Sequence, residues 1–255
     1  MKLPSFSIIT CTRNSEPWLA ESISSVLKQR DVEIDYIFVD GGSTDGTLDR
    51  IRALKRPYTL IENVNNGISS AMNAGIAAAQ GDIIAHLHSD DFYLHDEVLL
   101  IVALAFRDQA CRWLYGRMMS CIDGRLLSEN YIAPDFSRRR LLRGNFIPHP
   151  ATFVARELMW RSGGFDTRLR YAMDYDLWLR LSAIANPCAL PQALTAFREH
   201  EGSLSTREKA QAMQEDLRVR LAHTGLDPLS YALHLMRYAV RRQRARFNAV
   251  ETLHA

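Results

Sequence analysis

Paired cysteines are missing. Cys11, Cys111, Cys121 and Cys188 stand apart with no Cys-x-x-Cys spacing, which indicates neither a zinc site nor a disulfide framework and leaves reduced thiols as the simpler reading. Long apolar runs are missing too. The longest, Val98 to Phe106, falls far short of the ~20 residues a spanning helix needs. Met1-Lys2-Leu3-Pro4 leads straight into a strand, without the apolar stretch of a signal peptide. The expectation is a soluble, cytoplasmic protein, attached at most to the inner membrane surface. Charge of one sign is also missing: 31 Lys and Arg against 29 Asp and Glu leave +2, so nothing global argues for nucleic acid. After the first predicted strand there is no Gly-x-Gly-x-x-Gly and no Walker lysine loop, which disfavours dinucleotide and P-loop chemistry.

What is present is an alternation. Phe6 to Cys11 reads as a strand, and Trp18, Leu19, Ile23, Val26 and Leu27 recur at helical spacing behind Pro17. Ile34 to Val39 reads as a second strand ending in Asp40-Gly41-Gly42-Ser43, followed by a helix lined by Leu48, Ile51 and Leu54. A weak strand near Tyr58 to Ile61, a helix from Ile68 to about Ala79 and a strand Ile83 to Leu87 complete a β-α-β-α-β-α-β unit. Such alternation predicts an α/β fold, a mostly parallel central sheet flanked by helices. Three strand ends then carry polar residues that can converge: Thr10 to Arg13, Asp40, and Asp90-Asp91.

Asp90 and Asp91 are the sharpest feature, because adjacent carboxylates repel and a divalent cation bridging to phosphates relieves that repulsion. A capped helix start or a solvated Ser-Asp-Asp turn is the competing account. Beyond Asp96 come an apolar helix, a strand from Trp113 to Ser120, a hairpin turn at Asp123-Gly124, and a short helix ending at Gly144. A helix beginning at Met173-Asp174, a last strand closing at Phe197-Arg198-Glu199-His200 and a helical tail from about Thr206 follow. From Pro228 the tail is basic and amphipathic, which reads either as a membrane-surface or partner helix or as a helix packed on its own domain.

Several segments together resemble inverting family 2 glycosyltransferases of the GT-A fold, the Rossmann-like nucleotide-diphospho-sugar transferase fold, over roughly residues 4 to 206. They are Ser7-Ile8-Ile9-Thr10, Val39 to Thr47, Asn66-Gly67-Ile68, Ala71 to Ile76, Gly81 to Ile84, Ser89-Asp90-Asp91, Gly164-Phe165-Asp166 and Met173 to Arg180. Pro148-His149-Pro150 and Ala172 to Asp176 are similar to bacterial members that build exopolysaccharide or lipopolysaccharide, of the colanic-acid type. The resemblance implies a nucleoside-diphosphate sugar donor (UDP ahead of GDP or TDP) and a saccharide or lipid-linked acceptor. It implies Asp174 as general base, and Thr10, Arg13, Asp40, Asn66 and Asp90 around the donor. Asp40 would meet the base, and Asp91 with His200 would hold Mn²⁺ or Mg²⁺. His149, Trp178 and Arg180 would face the acceptor, although core packing explains Trp178 equally well, capping explains Asp174 and a structural hydrogen bond explains His200. Met72 stands where many relatives carry arginine. On this pattern residues 1–95 form a donor half, 96–205 an acceptor and catalytic half, and 206–255 a helical extension. A nucleotidyltransferase and a non-catalytic nucleotide-sugar-binding protein are the alternative functions.

Overall fold

A computed structural model describes residues 2–127, 135–200, 208–225 and 228–251. The first half follows the expected alternation: β1 (Phe6–Thr12), α1 (Glu16–Leu27), β2 (Ile34–Asp40), α2 (Thr47–Arg52), β3 (Thr59–Ile61), α3 (Ile68–Ala78), β4 (Ile83–His86) and β5 (Phe92–Tyr93). Then come α4 (Val98–Asp108), β6 (Trp113–Ile122), β7 (Arg125–Leu127), α5 (Arg138–Leu141), a 3-10 turn (His149–Ala151), β8 (Thr152–Ala155), α6 (Arg156–Ser162), α7 (Met173–Ile184), β9 (Cys188–Glu199), α8 (Lys209–His223) and α9 (Pro228–Glu251). The tail helix expected from about Thr206 begins, among the described residues, at Lys209; residues 201–207 lie outside them.

One sheet runs in the order β3-β2-β1-β4-β8-β6-β9-β5, with β7 on β6. Its β3-β2-β1-β4 portion is parallel. Beyond β4 the sheet is mixed: β8 is antiparallel to β4 and β6, β9 is parallel to β6, and β5 is antiparallel to β9. The β6–β7 hairpin turns at Asp123-Gly124, both at positive φ (50° and 74°), the geometry that matches strand twist in a two-residue loop.

Side-chain alternation along β1, β2 and β4 divides the interior into two layers. Ile9, Ile37, Val39 and Ile84 face α3, α6 and α7, with Met72, Ile76, Leu158 and Trp178. Phe6, Ile8, Phe38, Ile83 and Ala85 face α1 and α4, with Leu19, Ile23, Leu99 and Val102. All these side chains are buried, and each of the larger aliphatic and Phe side chains contributes roughly 1.5–3 kcal/mol on an area basis. Gly81 lets the chain close against β1: a Cβ there would sit 2.4 Å from the Phe6 carbonyl carbon and the Ser7 nitrogen.

Reading the cysteines as thiols is corrected for one pair. Cys111 and Cys188 form a disulfide across 77 positions, Cα to Cα 6.1 Å, because β6 and β9 are parallel neighbours whose first residues come together. Cys11 and Cys121 are free and buried. No described helix is long and apolar enough to cross a membrane.

Candidate active site

The carboxyl ends of β1 and β2 meet first. Asp40 is fully buried and its carboxylate accepts four bonds, from Thr12 Oγ1 (2.8 Å), Ser43 Oγ (2.5 Å), and the N–H groups of Gly42 (2.9 Å) and Ser43 (2.8 Å). Those bonds fold Gly41 to Ser43 back over β1, where the Gly41 N–H reaches the Thr12 carbonyl at 2.9 Å. Asp40 thus shapes the turn with its own oxygens, and the loop rather than the carboxylate presents itself outward. Arg13 is exposed and its Cδ lies 3.6 Å from where a Gly41 Cβ would stand. Asn66 is exposed at the entry to α3, its carbonyl accepting from Ser70 Oγ at 3.0 Å. Thr10, expected beside the nucleotide, is fully buried, donating to the Leu87 carbonyl at 2.8 Å. Thr12, one pleat further along the same face, occupies the strand end in its place.

The end of β4 meets β9. Asp91 is 1% exposed, and its Oδ1 accepts the Arg198 N–H at 3.1 Å. Burial, reinforced by the neighbouring Asp90 charge, pushes the Asp91 carboxyl well above the ordinary range. That cost is the one a divalent cation beside Asp90 and Asp91 would relieve. Asp90 turns the other way, and its Oδ2 lies 3.1 Å from His200 Nε2, with both side chains about a quarter exposed (27% and 25%). His200 stacks on Trp18 of α1, ring centroids 5.5 Å apart. The buried Arg198 guanidinium lies over the Trp18 ring (4.7 Å), donates to the Asp90 carbonyl (3.1 Å) and pairs with Glu21. Arg198 and His200 lie two residues apart at the strand end, so a period of two carries both toward the Asp90-Asp91 turn. Among the described residues no cluster of three His, Cys, Asp or Glu side chains is arranged to hold a metal alone. Asp90, Asp91 and His200 provide carboxylate oxygens and one nitrogen, a fit for a cation that completes its shell with phosphate oxygens and water.

Asp174 stands in the first turn of α7, partly buried. Asn145 Nδ2 donates to its Oδ2 at 3.0 Å, and the Tyr175 N–H to its Oδ1 at 2.6 Å. Burial raises its pKa to about 6, against the pull of these bonds. Asp176 has the opposite fate: burial would raise it, but bonds from His223 Nε2 (2.8 Å) and the Arg180 guanidinium (2.7 Å) hold it below the ordinary range. Arg180 thereby pairs with Asp176 and also donates to the Ser162 carbonyl. Trp178 is 1% exposed and stacked on Trp113 at 5.9 Å, 18° between planes. It is a core residue. His149 lies between His88 (5.2 Å) and Trp178 (5.8 Å), and burial with two neighbouring imidazoles keeps it neutral. Trp178 is one helical turn beyond Asp174, so these ring contacts connect the β4 end to α7. Asn73 fixes the intervening turn by bonding Phe165 in both directions, each at 2.8 Å. Gly164, at φ 68°, has room only because it lacks a Cβ, which would meet Asn73 Oδ1 at 2.6 Å.

Residues 7–159 match the family described as Glycosyl transferase family 2. The chain is 32% identical over 189 residues to chondroitin synthase of Pasteurella multocida (strain Pm70), covering 72% of this chain and 19% of that one. It spans about a fifth to a quarter of the synthases it matches. A PGL/p-HBAD biosynthesis glycosyltransferase of Mycobacterium bovis (strain BCG / Pasteur 1173P2) is 31% identical over 216 residues, 81% of each chain. Among solved structures, S. aureus TarS 1–349 in complex with UDP-GlcNAc superposes with a TM-score of 0.73 at 20% identity, covering 90% of this chain and 69% of that one. The mannosyltransferase PcManGT from Pyrobaculum calidifontis, in complex with GDP-Man and Mn²⁺, gives 0.64 at 17% identity over 98% and 80%. These likenesses carry the fold, which is the GT-A fold. With more than half of its length matching the family and a relative aligned at 31% over four-fifths of both chains, the chain belongs to glycosyl transferase family 2.

Proposed function

We propose that the chain moves a sugar, with inversion, from a nucleoside-diphosphate sugar to a saccharide or lipid-linked acceptor in bacterial surface polysaccharide synthesis. The observation that carries this reading is Asp174, a carboxyl at a helix start whose burial sets its pKa at about 6. Near neutral pH it is ionised yet basic enough to take a proton, as a general base requires. The acceptor hydroxyl attacks the anomeric carbon and gives its proton to Asp174. The bond from that carbon to the diphosphate breaks, and its electron pair leaves with the nucleotide. Asn145 holds the receiving carboxylate through Oδ2.

Residues 1–95 take the donor in this reading, 96–205 supply the acceptor side and the base, and 206–255 form the extension. Arg13, Asn66 and the turn built on Asp40 border the donor, with Asp90 and His200 at its diphosphate. His149 contributes to the acceptor side through the ring column. UDP is the preferred donor nucleotide, supported by the fold likeness to TarS, itself in complex with UDP-GlcNAc. A Mn²⁺ or Mg²⁺ ion held by Asp91 and His200, with Asp90 beside them, would neutralise charge gathering on the leaving diphosphate. A lipid-linked acceptor places the reaction at the inner membrane surface. The exposed stripe of Leu229, Leu233, Met236 and Val240 on α9, with Arg237, Arg241 and Arg242 nearby, supports contact there.

Incubation with UDP-N-acetylglucosamine or GDP-mannose and Mn²⁺ tests the reaction class. Release of nucleoside diphosphate with sugar supports a transferase. Consumption of added pyrophosphate, with formation of nucleoside triphosphate and sugar 1-phosphate, would reassign the chain as a nucleotidyltransferase, and no turnover with intact binding would make it a binding protein.

A further inference from the structure

The start of α7 is held by an element outside the sheet. Glu215 of α8 accepts the backbone N–H groups of Arg170 (2.9 Å), Tyr171 (2.6 Å) and Ala172 (2.7 Å) on Oε1, with Oε2 3.1 Å from the Arg170 nitrogen. Ala172 caps α7, its carbonyl taking the first helical bond, from the Asp176 N–H at 3.0 Å. Three successive donors therefore converge on one carboxylate two residues before Asp174. Such charge-assisted bonds are about twice as strong as neutral ones. The same face of α8 supplies Glu208, which pairs with Arg170 at 3.1 Å and accepts from Tyr171 Oη, and His223, which meets Asp176 at 2.8 Å. Positions 208, 215 and 223 are seven and eight apart, two helical turns each. The α7 start thus has its entry geometry set from α8, while Asn145 restrains only the Asp174 carboxylate itself.

We propose that Glu215 is a positioning residue for Asp174, fixing the entry of α7 so that the base points at the acceptor oxygen. This rests on Asp174 being the general base. A displacement of about 1 Å at a reacting group costs on the order of 10²-fold in rate, so the clamp should appear in kcat and not in donor affinity.

The test compares Glu215→Ala, Glu215→Gln, Asp174→Asn and the double variant Glu215→Ala/Asp174→Asn, using whichever of UDP-N-acetylglucosamine and GDP-mannose is turned over. Glu215→Ala should lower kcat roughly 10- to 100-fold with donor KM within about twofold. Amide hydrogen exchange across residues 170–174 should quicken about tenfold or more. Glu215→Gln, whose carbonyl can still take the N–H groups, should recover most of both. In the Asp174→Asn background the loss of Glu215 should cost nothing further, since the two act as one unit. Unchanged exchange in Glu215→Ala, wild-type kcat in Glu215→Ala with Asp174→Asn dead, or additive losses in the double variant would each overturn the positioning role and leave the base standing. Wild-type transfer by Asp174→Asn would overturn the base and the clamp together. Should Glu215→Ala not fold, Glu215→Asp, which holds the charge one methylene short of the amides, reads the same loss.

Discussion

The Asp90 carboxylate and the His200 imidazole lie 3.1 Å apart, Oδ2 to Nε2, across 110 positions of chain. β5 makes this meeting: it pairs Phe92 with Ala196 and so turns the residues before it toward the end of β9. Asp90→Asn and His200→Ala should each weaken Mn²⁺-dependent binding of UDP by more than about tenfold, because even outer partners of a metal site are worth ~10–100-fold. Asp91→Asn, which keeps an acceptor for the Arg198 N–H, should weaken it at least as much. Calorimetry with and without Mn²⁺ reads this directly. A metal response kept in full by Asp91→Asn would take the cation away from Asp91.

Asp174→Asn should reduce transfer by the ~10²–10⁴ that a positioned base supplies, while donor binding persists. In the parent protein the rate should rise with pH through about 6 and then level. Stability moves the other way. A carboxyl whose folded pKa lies above its unfolded value binds more protons when folded, so its ionisation costs stability as pH rises from about 4 to about 6. Above that window Asp174→Asn should be the more stable protein, by ~1–3 kcal/mol in urea melts. Asp176→Asn should show the reverse pattern, losing stability through its Arg180 and His223 partners while transferring sugar nearer the wild-type rate.

How far these residues could be read without coordinates depends on where their partners lie. Asp90, Asp174 and His200 end or begin elements whose apolar periodicity is visible, so their placement was legible. The parallel run of β1 to β4 was legible for the same reason, while its order in the sheet was not. Thr10 and Thr12 share a face, and only the Leu87 carbonyl covering Thr10 separates them. The Asp176–Arg180 pair carried an i,i+4 signal that competes with an acceptor role for Arg180. Glu215 and Asn145 left no trace, because the one binds backbone N–H groups and the other sits in a loop. The Cys111–Cys188 pairing depends on the β6–β9 register, which no spacing encodes.

That disulfide closes a long loop, and removing it should lower stability by about 2–4 kcal/mol. Thermal melts of the oxidised protein with and without dithiothreitol, alongside Cys111→Ser, measure the loss. Equal melting of all three would show that the bridge contributes nothing, and in a reducing compartment the two cysteines would be thiols.

Truncation after Thr224 removes α9 and keeps α8 with its hold on α7. The shortened chain should fold and turn over donor, since the sheet and the α7 clamp are complete by His223. Binding to anionic liposomes should fall, because Leu229 (70% exposed), Met236 (58%) and the arginines beside them are gone. Equal sedimentation of both chains would remove the membrane from the account.

The Glu215 clamp also orders events during synthesis. A growing chain meets Asp40 and Asp90 early, closes the sheet with β9, and only then makes α8. On the proposed roles, the donor walls and the capacity to react would be completed at different moments of translation, the second only once the middle of α8 has been made.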